Sequence, residues 1–398
     1  LELDFLSQNA IIYVLIGWVA VLAAAKGLRL DKRGFELKAY SLVYKNYRVQ
    51  SVLSSMLGRT RRGVRVFADV SVVAGFMMMG FARWFLLDNI FKFVFTPAEA
   101  AELTVLIPGV TLTSGSAIAG FLLSLPIVLV MHEGAHGIVA TLEKIRVKSG
   151  GFAVLIAVFA GFVEPDEEEF EKAKKISKLR VIGAGATANV IFALALGALL
   201  LTNPVFALVL PEQIVSAFYV LPEGVKVLEI MGGFGAERAG MAVGDIVTQI
   251  DGVRIDTAAD FGKVELLPGQ TADISVLRDG REMAFPVEIM PDPNDPERGL
   301  MGIIRDNAFY TPVYDFIQWD PQVSMYLLWL WMISFFIGII NMLPLPILDG
   351  GKFIHSIIAD KASEETVGRI MWAIYAFTFA VFALNIAFTY VKSGWFTI

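Results

Sequence analysis

Cysteine is absent from the 398 residues. That removes disulfides, thiolate metal sites and cysteine nucleophiles. Histidine is scarce: His132, His136 and His355 are the three the chain has. Any metal site must therefore draw on these and on carboxylates. Charge is also low. Asp, Glu, Lys and Arg make up 18% of residues, against about 25% in ordinary soluble domains. The net charge of −6 argues against nucleic acid as a partner and against a general affinity for anionic surfaces. What fills the chain instead is apolar. The AVILMFWYC set reaches 56% and mean hydropathy is +0.63. These values exclude a disordered chain or a coiled coil and point to a membrane protein set in a lipid bilayer.

A spanning helix needs about 20 mostly apolar residues. Stretches at 9–28, 66–95, 117–142, 181–202, 323–345 and 368–391 give five or six such spans. Asp69, Arg83 and Asp88 in the second are expected at its ends or facing other helices. No cleavable signal peptide is evident at the N-terminus, and the missing initiator Met fits a numbering that begins after a removed segment. Direction follows from Lys and Arg in the loops. Residues 26–65 hold eleven basic residues opposed by Asp31 and Glu36, so that loop is expected to be cytoplasmic. Alternation then places residues 203–322 outside, in a cell or cytoplasmic membrane. The segment from Glu223 to Arg298, with fifteen acidic and seven basic residues, suits that side.

Two stretches break the helical pattern. Residues 150–163, GGFAVLIAVFAGFV, are apolar but too short to span as a helix, and a re-entrant or membrane-edge β-hairpin is expected. Residues 222–290 show short alternating runs such as VKVLEI and ADISVLRDG separated by Gly-rich turns. The string AERAGMAVGDIVTQIDGVRI resembles the PDZ signature. PDZ domains bind extended peptides by strand addition. By that analogy the carboxylate-binding loop would lie just before Val225, near Leu221 to Gly224, although the familiar GLGF is missing there. A peptide ligand and a steric sizing role are both open.

The chemistry concentrates in His132-Glu133-Gly134-Ala135-His136, an HExxH motif. On a helix, positions i and i+4 share a face, so both imidazoles can bind one zinc ion with Glu133 beside it. Zinc needs a third protein ligand. With no cysteine to use, a carboxylate is the best choice. In NMLPLPILDGG, residues 341–351, two prolines break the helical ladder, which puts Asp349 on irregular backbone at the same membrane depth as the histidines. His355 fits no ligand pattern and is read as structural or interfacial. In GAGATAN, Asn189 follows a small-residue face that suits helix packing or function.

HEGAH, GAGATAN, a PDZ insert and NMLPLPILDGG occur in the order found in the site-2 proteases, which the chain resembles over roughly residues 105–365. The resemblance implies an intramembrane zinc metalloprotease that cuts within or near transmembrane segments of single-span proteins. It implies zinc on His132, His136 and Asp349, with Glu133 as catalytic base. It also implies substrate or transition-state contacts for Asn189 and Asn341. The fold class expected is a polytopic α-helical membrane protein of about six spans, with a membrane-associated β-hairpin and an inserted small β-rich PDZ-like domain. Its parts are a two-helix region at 1–95, a catalytic core split between 105–202 and 323–367, the PDZ-like domain at 222–290, and a last helix at 368–398. Three rivals remain: another HExxH membrane metalloprotease such as a prenyl-protein protease, a non-enzymatic scaffold or metal carrier, and a transporter. The carboxylate at Asp349, the general base at Glu133 and the lack of an inverted repeat argue against them in turn.

Overall fold

The computed structural model describes residues 10–108, 111–155, 158–220, 224–292, 295–305, 310–314 and 316–393. Two compact units emerge, one of residues 1–197 with 325–398 and one of residues 198–324.

The first unit is a helical bundle. Its main helices are α1 (Ala10–Gly27), α2 (Val49–Phe95), α3 (Gly115–Leu142), α4 (Lys175–Leu200), α5 (Pro321–Asn341), α6 (Asp349–Ile358) and α7 (Glu364–Ser393). Five of these, α2, α3, α4, α5 and α7, are long and apolar enough to cross a membrane. The chain is therefore a polytopic helical membrane protein. The described apolar part of α1, Leu15–Gly27, falls short of a span.

Helix α2 starts at Val49, well before the apolar run at residue 66. Arginine is a good helix former, so Arg59, Arg61, Arg62 and Arg65 extend the helix instead of ending it. At 47 residues it is about 70 Å long. Helix α4 is the centre of the bundle: 56% of its apolar window is buried, against 22–33% for the other four spans. Small residues make this possible. A side chain at Gly183 would meet the Ser71 carbonyl of α2 at 2.5 Å. Gly338 of α5 likewise lets α4 approach at Ala186 and Val190.

The hairpin expected at 150–163 is present as β3 (Val147–Leu155) and β4 (Val158–Pro165). It does not stand alone. The basic segment before α2 folds into β1 (Phe35–Lys38) and β2 (Ser41–Asn46), giving an antiparallel sheet in the order β1-β2-β3-β4. Tyr44 pairs with Phe152 across the β2–β3 seam. Rings of Phe35, Tyr44, Phe152 and Phe159 run across this sheet, neighbouring centroids lying 4.9–5.6 Å apart. Trp18 of α1 donates to the Ala39 carbonyl at 2.8 Å, which ties the first helix to the β1–β2 turn.

The second unit is β-rich. Strands β5 (Val225–Ile230), β6 (Ile246–Ile250), β7 (Val253–Arg254), β8 (Thr271–Arg278), β9 (Arg281–Glu288) and β10 (Ile303–Arg305) form one antiparallel sheet. Their order is β9-β8-β6-β5-β10, with β7 paired to β6. Alternation in ADISVLR sends Ala272, Ile274 and Val276 inward, where they join Val225, Val247 and Val287 in a fully buried core. Asp245, just before β6, is buried and takes two bonds from Arg278 at 2.6 and 2.7 Å. Burial alone would push this carboxyl up. The Arg278 guanidinium and the Ala242 N–H outweigh that and hold it below the usual carboxylate range.

Candidate metal centre

Helix α3 presents His132 and His136 one turn apart, with their rings at a steep angle and centroids 4.7 Å apart. Their Nε2 atoms lie 3.1 Å from each other. Asp349 arrives from 213 residues beyond His136, and its Oδ2 lies 3.1 Å from both nitrogens. Asp349 is the first residue of α6, so it is helical; the irregular backbone is the stretch just before it. Gly350 and Gly351 explain how that stretch folds back. A side chain at either would strike the carbonyl of Met342 or Leu345 at 2.2 Å.

Three features suit this triangle to a metal ion. The first is spacing. Bonds of 2.0–2.2 Å in a tetrahedral shell set neighbouring ligand atoms about 3.3 Å apart, close to the 3.1 Å triangle observed. The second is the donor set. The Val181 carbonyl lies 2.7 Å from His136 Nδ1 and can only accept, so that nitrogen carries the hydrogen. With Nδ1 so occupied, Nε2 is the nitrogen left to face the Asp349 oxygen and to ligate a cation placed between them. The third is room. An ideal Cβ at Gly185 of α4 would fall 2.3 Å from His136 Nε2 and 2.7 Å from His132 Nε2. Glycine keeps that volume open.

Glu133 follows His132 on α3 and is half-buried. Its Oε2 accepts the Val163 N–H of β4 at 2.9 Å. Gly161 of the same strand packs against the Glu133 stem, 3.1 Å from a would-be Cβ to Cγ. Asn189, one turn beyond Gly185, is fully buried with Nδ2 3.2 Å from His132 Nδ1. Four of the six residues singled out in the sequence thus hold the triangle or touch it directly through His132, and Glu133 stands next to it. Asn341 ends α5 half-buried, and its side chain makes no hydrogen bond among the described residues. His355 is exposed on α6 and takes no part in the described cluster. Gly185 is the residue that the sequence assigns to the small-residue packing face and the structure sets beside the histidines. Its signal was GAGATAN itself, where a glycine one turn before a buried asparagine marks the face toward the histidines.

The β-rich unit holds a second concavity, an open groove of about 760 Å³. One wall is β10 with the residues leading into it, Arg298 to Arg305; the other is Phe261 to Leu267. Strand β10 ends the sheet, so its outer edge is unpaired within the sheet. Arg305 stacks its guanidinium 4.5 Å over the Phe261 ring. The loop expected near Leu221 to Gly224 lies at 221–223 outside the described residues. Gly299-Leu300-Met301-Gly302 lines the groove.

A bundle of apolar spans around an HExxH helix and a distant aspartate defines a membrane metalloprotease architecture. The profile of peptidase family M50 matches residues 120–382, and the chain belongs to that family, the site-2 proteases. An uncharacterized protein of Methanocaldococcus jannaschii is 26% identical over 64% of this chain and 60% of its own length. The zinc metalloprotease RasP of Shouchella clausii is 26% identical over 35% of this chain and 45% of its own. The membrane metalloprotease ARASP of Arabidopsis thaliana, chloroplastic, is 26% identical over 50% of this chain and 49% of its own. The chain thus spans about half the length of the curated relatives it matches. Among solved structures, the PDZ domain of an SdrC-like protein from Listeria monocytogenes is 20% identical, covering 22% of this chain and 90% of that domain, with a TM-score of 0.20.

Proposed function

We propose that the protein is an intramembrane zinc endopeptidase that cuts single-span membrane proteins within or near their transmembrane segments. The observation that carries this reading is the ligand triangle of His132, His136 and Asp349 with Glu133 in the adjoining position. When bound, zinc supplies Lewis acidity toward a scissile carbonyl and acidifies water. Glu133 accepts a proton from the attacking water and returns it to the leaving amine. Side-chain amides of Asn189 or Asn341 donate to the developing oxyanion.

A substrate helix hides its carbonyls in its own hydrogen bonds, so it must unwind before attack. Strand β4 is the edge of its sheet, and its Val163 N–H already holds the Glu133 carboxylate. An unwound substrate segment adds to this edge as a further strand, competes for the same N–H and leaves the carboxylate free to work. The groove beside β10 takes an extended peptide in the same way in the PDZ-like domain. The basic segment 26–65 faces the cytoplasm and the PDZ-like domain the outside, in accord with the charge bias of each.

The decisive comparison is between the intact protein and Glu133→Gln, both purified in detergent. Zinc is expected at one equivalent in each. Cleavage of a single-span substrate is expected to fall by roughly 100- to 10,000-fold in the variant. Cleavage unaffected by Glu133→Gln would remove the general base from the mechanism. Zinc without cleavage in either protein would favour a scaffold.

A further inference from the structure

Both imidazoles of the HExxH motif need an outer partner. A ligating histidine must present a lone pair at one nitrogen, and a hydrogen bond at the other fixes which one. For His136 the partner is plain: Val181 O at 2.7 Å from Nδ1. For His132 the group facing Nδ1 is the Asn189 amide at 3.2 Å, fully buried on α4. Its orientation carries a conflict. With Nδ2 toward the ring, the amide donates to Nδ1, so a neutral His132 must carry its hydrogen on Nε2. That hydrogen then points into the triangle, where a ligand needs a lone pair. The same orientation leaves Asn189 Oδ1 buried without a partner. Turning the amide by 180° exchanges two atoms of nearly equal size and removes the conflict at His132. Oδ1 then accepts Nδ1–H, and Nε2 is free to ligate. The NH2 group becomes the buried atom without a partner, a donor ready for an incoming oxygen.

We infer that Asn189 is a positioning residue for zinc: its amide oxygen accepts the His132 Nδ1–H and fixes the tautomer that binds through Nε2. This rests on the zinc-site reading of His132, His136 and Asp349, and goes beyond a contact to substrate. It also accounts for the motif. Gly185 and Asn189 are four residues apart, so one helix face supplies both the space for the ion and the group that orients its ligand.

The test is zinc affinity, measured on the full chain in detergent by competition with a chromophoric chelator. Loss of an outer-sphere partner typically weakens a site 10- to 100-fold, and Asn189→Leu is expected to do so. Asn189→Asp keeps an acceptor at that place and is expected to hold zinc at least as tightly as the parent chain. Unchanged zinc affinity in Asn189→Leu overturns the inference and leaves Asn189 to substrate alone. Equal weakening by Leu and Asp overturns it too, since a packing defect would not distinguish them. Should the leucine variant fail to fold, nitrogen NMR of the zinc-loaded parent protein, labelled in histidine, decides. Nδ1 of His132 is expected to be protonated, and ligation through Nδ1 refutes the proposal. His132→Ala separates this from the reading beneath it. If that change leaves zinc binding intact, the site itself is wrong. If it abolishes binding while Asn189→Leu does nothing, only the role of Asn189 falls.

Discussion

At the scale of single residues, one missing side chain matters as much as the charged ones. Gly185 leaves open the space beside the Nε2 atoms of His132 and His136. Alanine there would place a methyl group 2.3 Å from His136 Nε2, close to a zinc–nitrogen bond length. Alanine is also the better helix former, so Gly185→Ala should leave α4 intact or stabilise it by up to about 1 kcal/mol. The expected outcome is a folded protein whose zinc content falls well below one equivalent, read by elemental analysis beside a circular dichroism spectrum. Full zinc occupancy in the variant would show that the ligands give way. The site residues divide by how much of their meaning is local. His132, Glu133 and His136 were legible because helical spacing alone puts them together. Asp349 was legible because two prolines and two glycines announce a broken helix. Gly185 was not: glycine and alanine in a span read equally well as a packing face, and Gly183 in the same motif is one, pressed against the Ser71 carbonyl.

At the scale of elements, the sheet beside the site is the part the sequence half disclosed. The hairpin of β3 and β4 declares itself as an apolar run too short to span. Strands β1 and β2 do not, since they are 4 and 6 residues long and lie in a basic segment. Their partner is also about a hundred positions away, with Leu42 paired to Val154. What the pairing achieves is to leave β4 as the outermost strand, its edge turned toward Glu133 and Leu129 of α3. Residues on a strand alternate in the direction of their N–H groups. Val163 points its N–H outward to Glu133, so Phe159, four positions earlier, points outward as well. Proline at that position costs the β3–β4 ladder nothing but removes an edge donor. Phe159→Pro should therefore slow cleavage of a helical substrate about fivefold relative to Phe159→Ala, the loss of one hydrogen bond of about 1 kcal/mol. Both lose the ring stacked on Phe152, so the difference isolates the N–H. Equal rates in the two variants would rule out strand addition at this edge. The same proline in the zinc assay should change nothing.

For the whole molecule the question is direction. Three spans, within 60–95, 115–142 and 175–200, separate Lys32 from Arg281. If each of the three crosses, an odd number of crossings predicts labelling from opposite faces. The absence of cysteine turns this into a clean experiment, because a single introduced thiol is the only one that reacts. In intact cells Arg281→Cys should be labelled by an impermeant maleimide and Lys32→Cys only after the membrane is opened. The reverse pattern would invert the assignment made from Lys and Arg. Spans and the β-rich insert were readable because hydropathy and alternation act over short windows. Long-range pairings were harder, since no window contains both partners. Strand β10 joins β5 from more than seventy positions away, and Asp349 joins His132 from 217.

That last separation bears on time as well as space. Ribosomes add roughly 5–20 residues per second, so the aspartate emerges roughly 10–40 s after the histidine it will join. Throughout that interval α3 lies among other newly made, partly inserted helices with two ligands and a base but no complete site. Under the proposed function, a protein meant to act on membrane helices is thereby born inert, and its site closes only when nearly all of its own spans have been laid down.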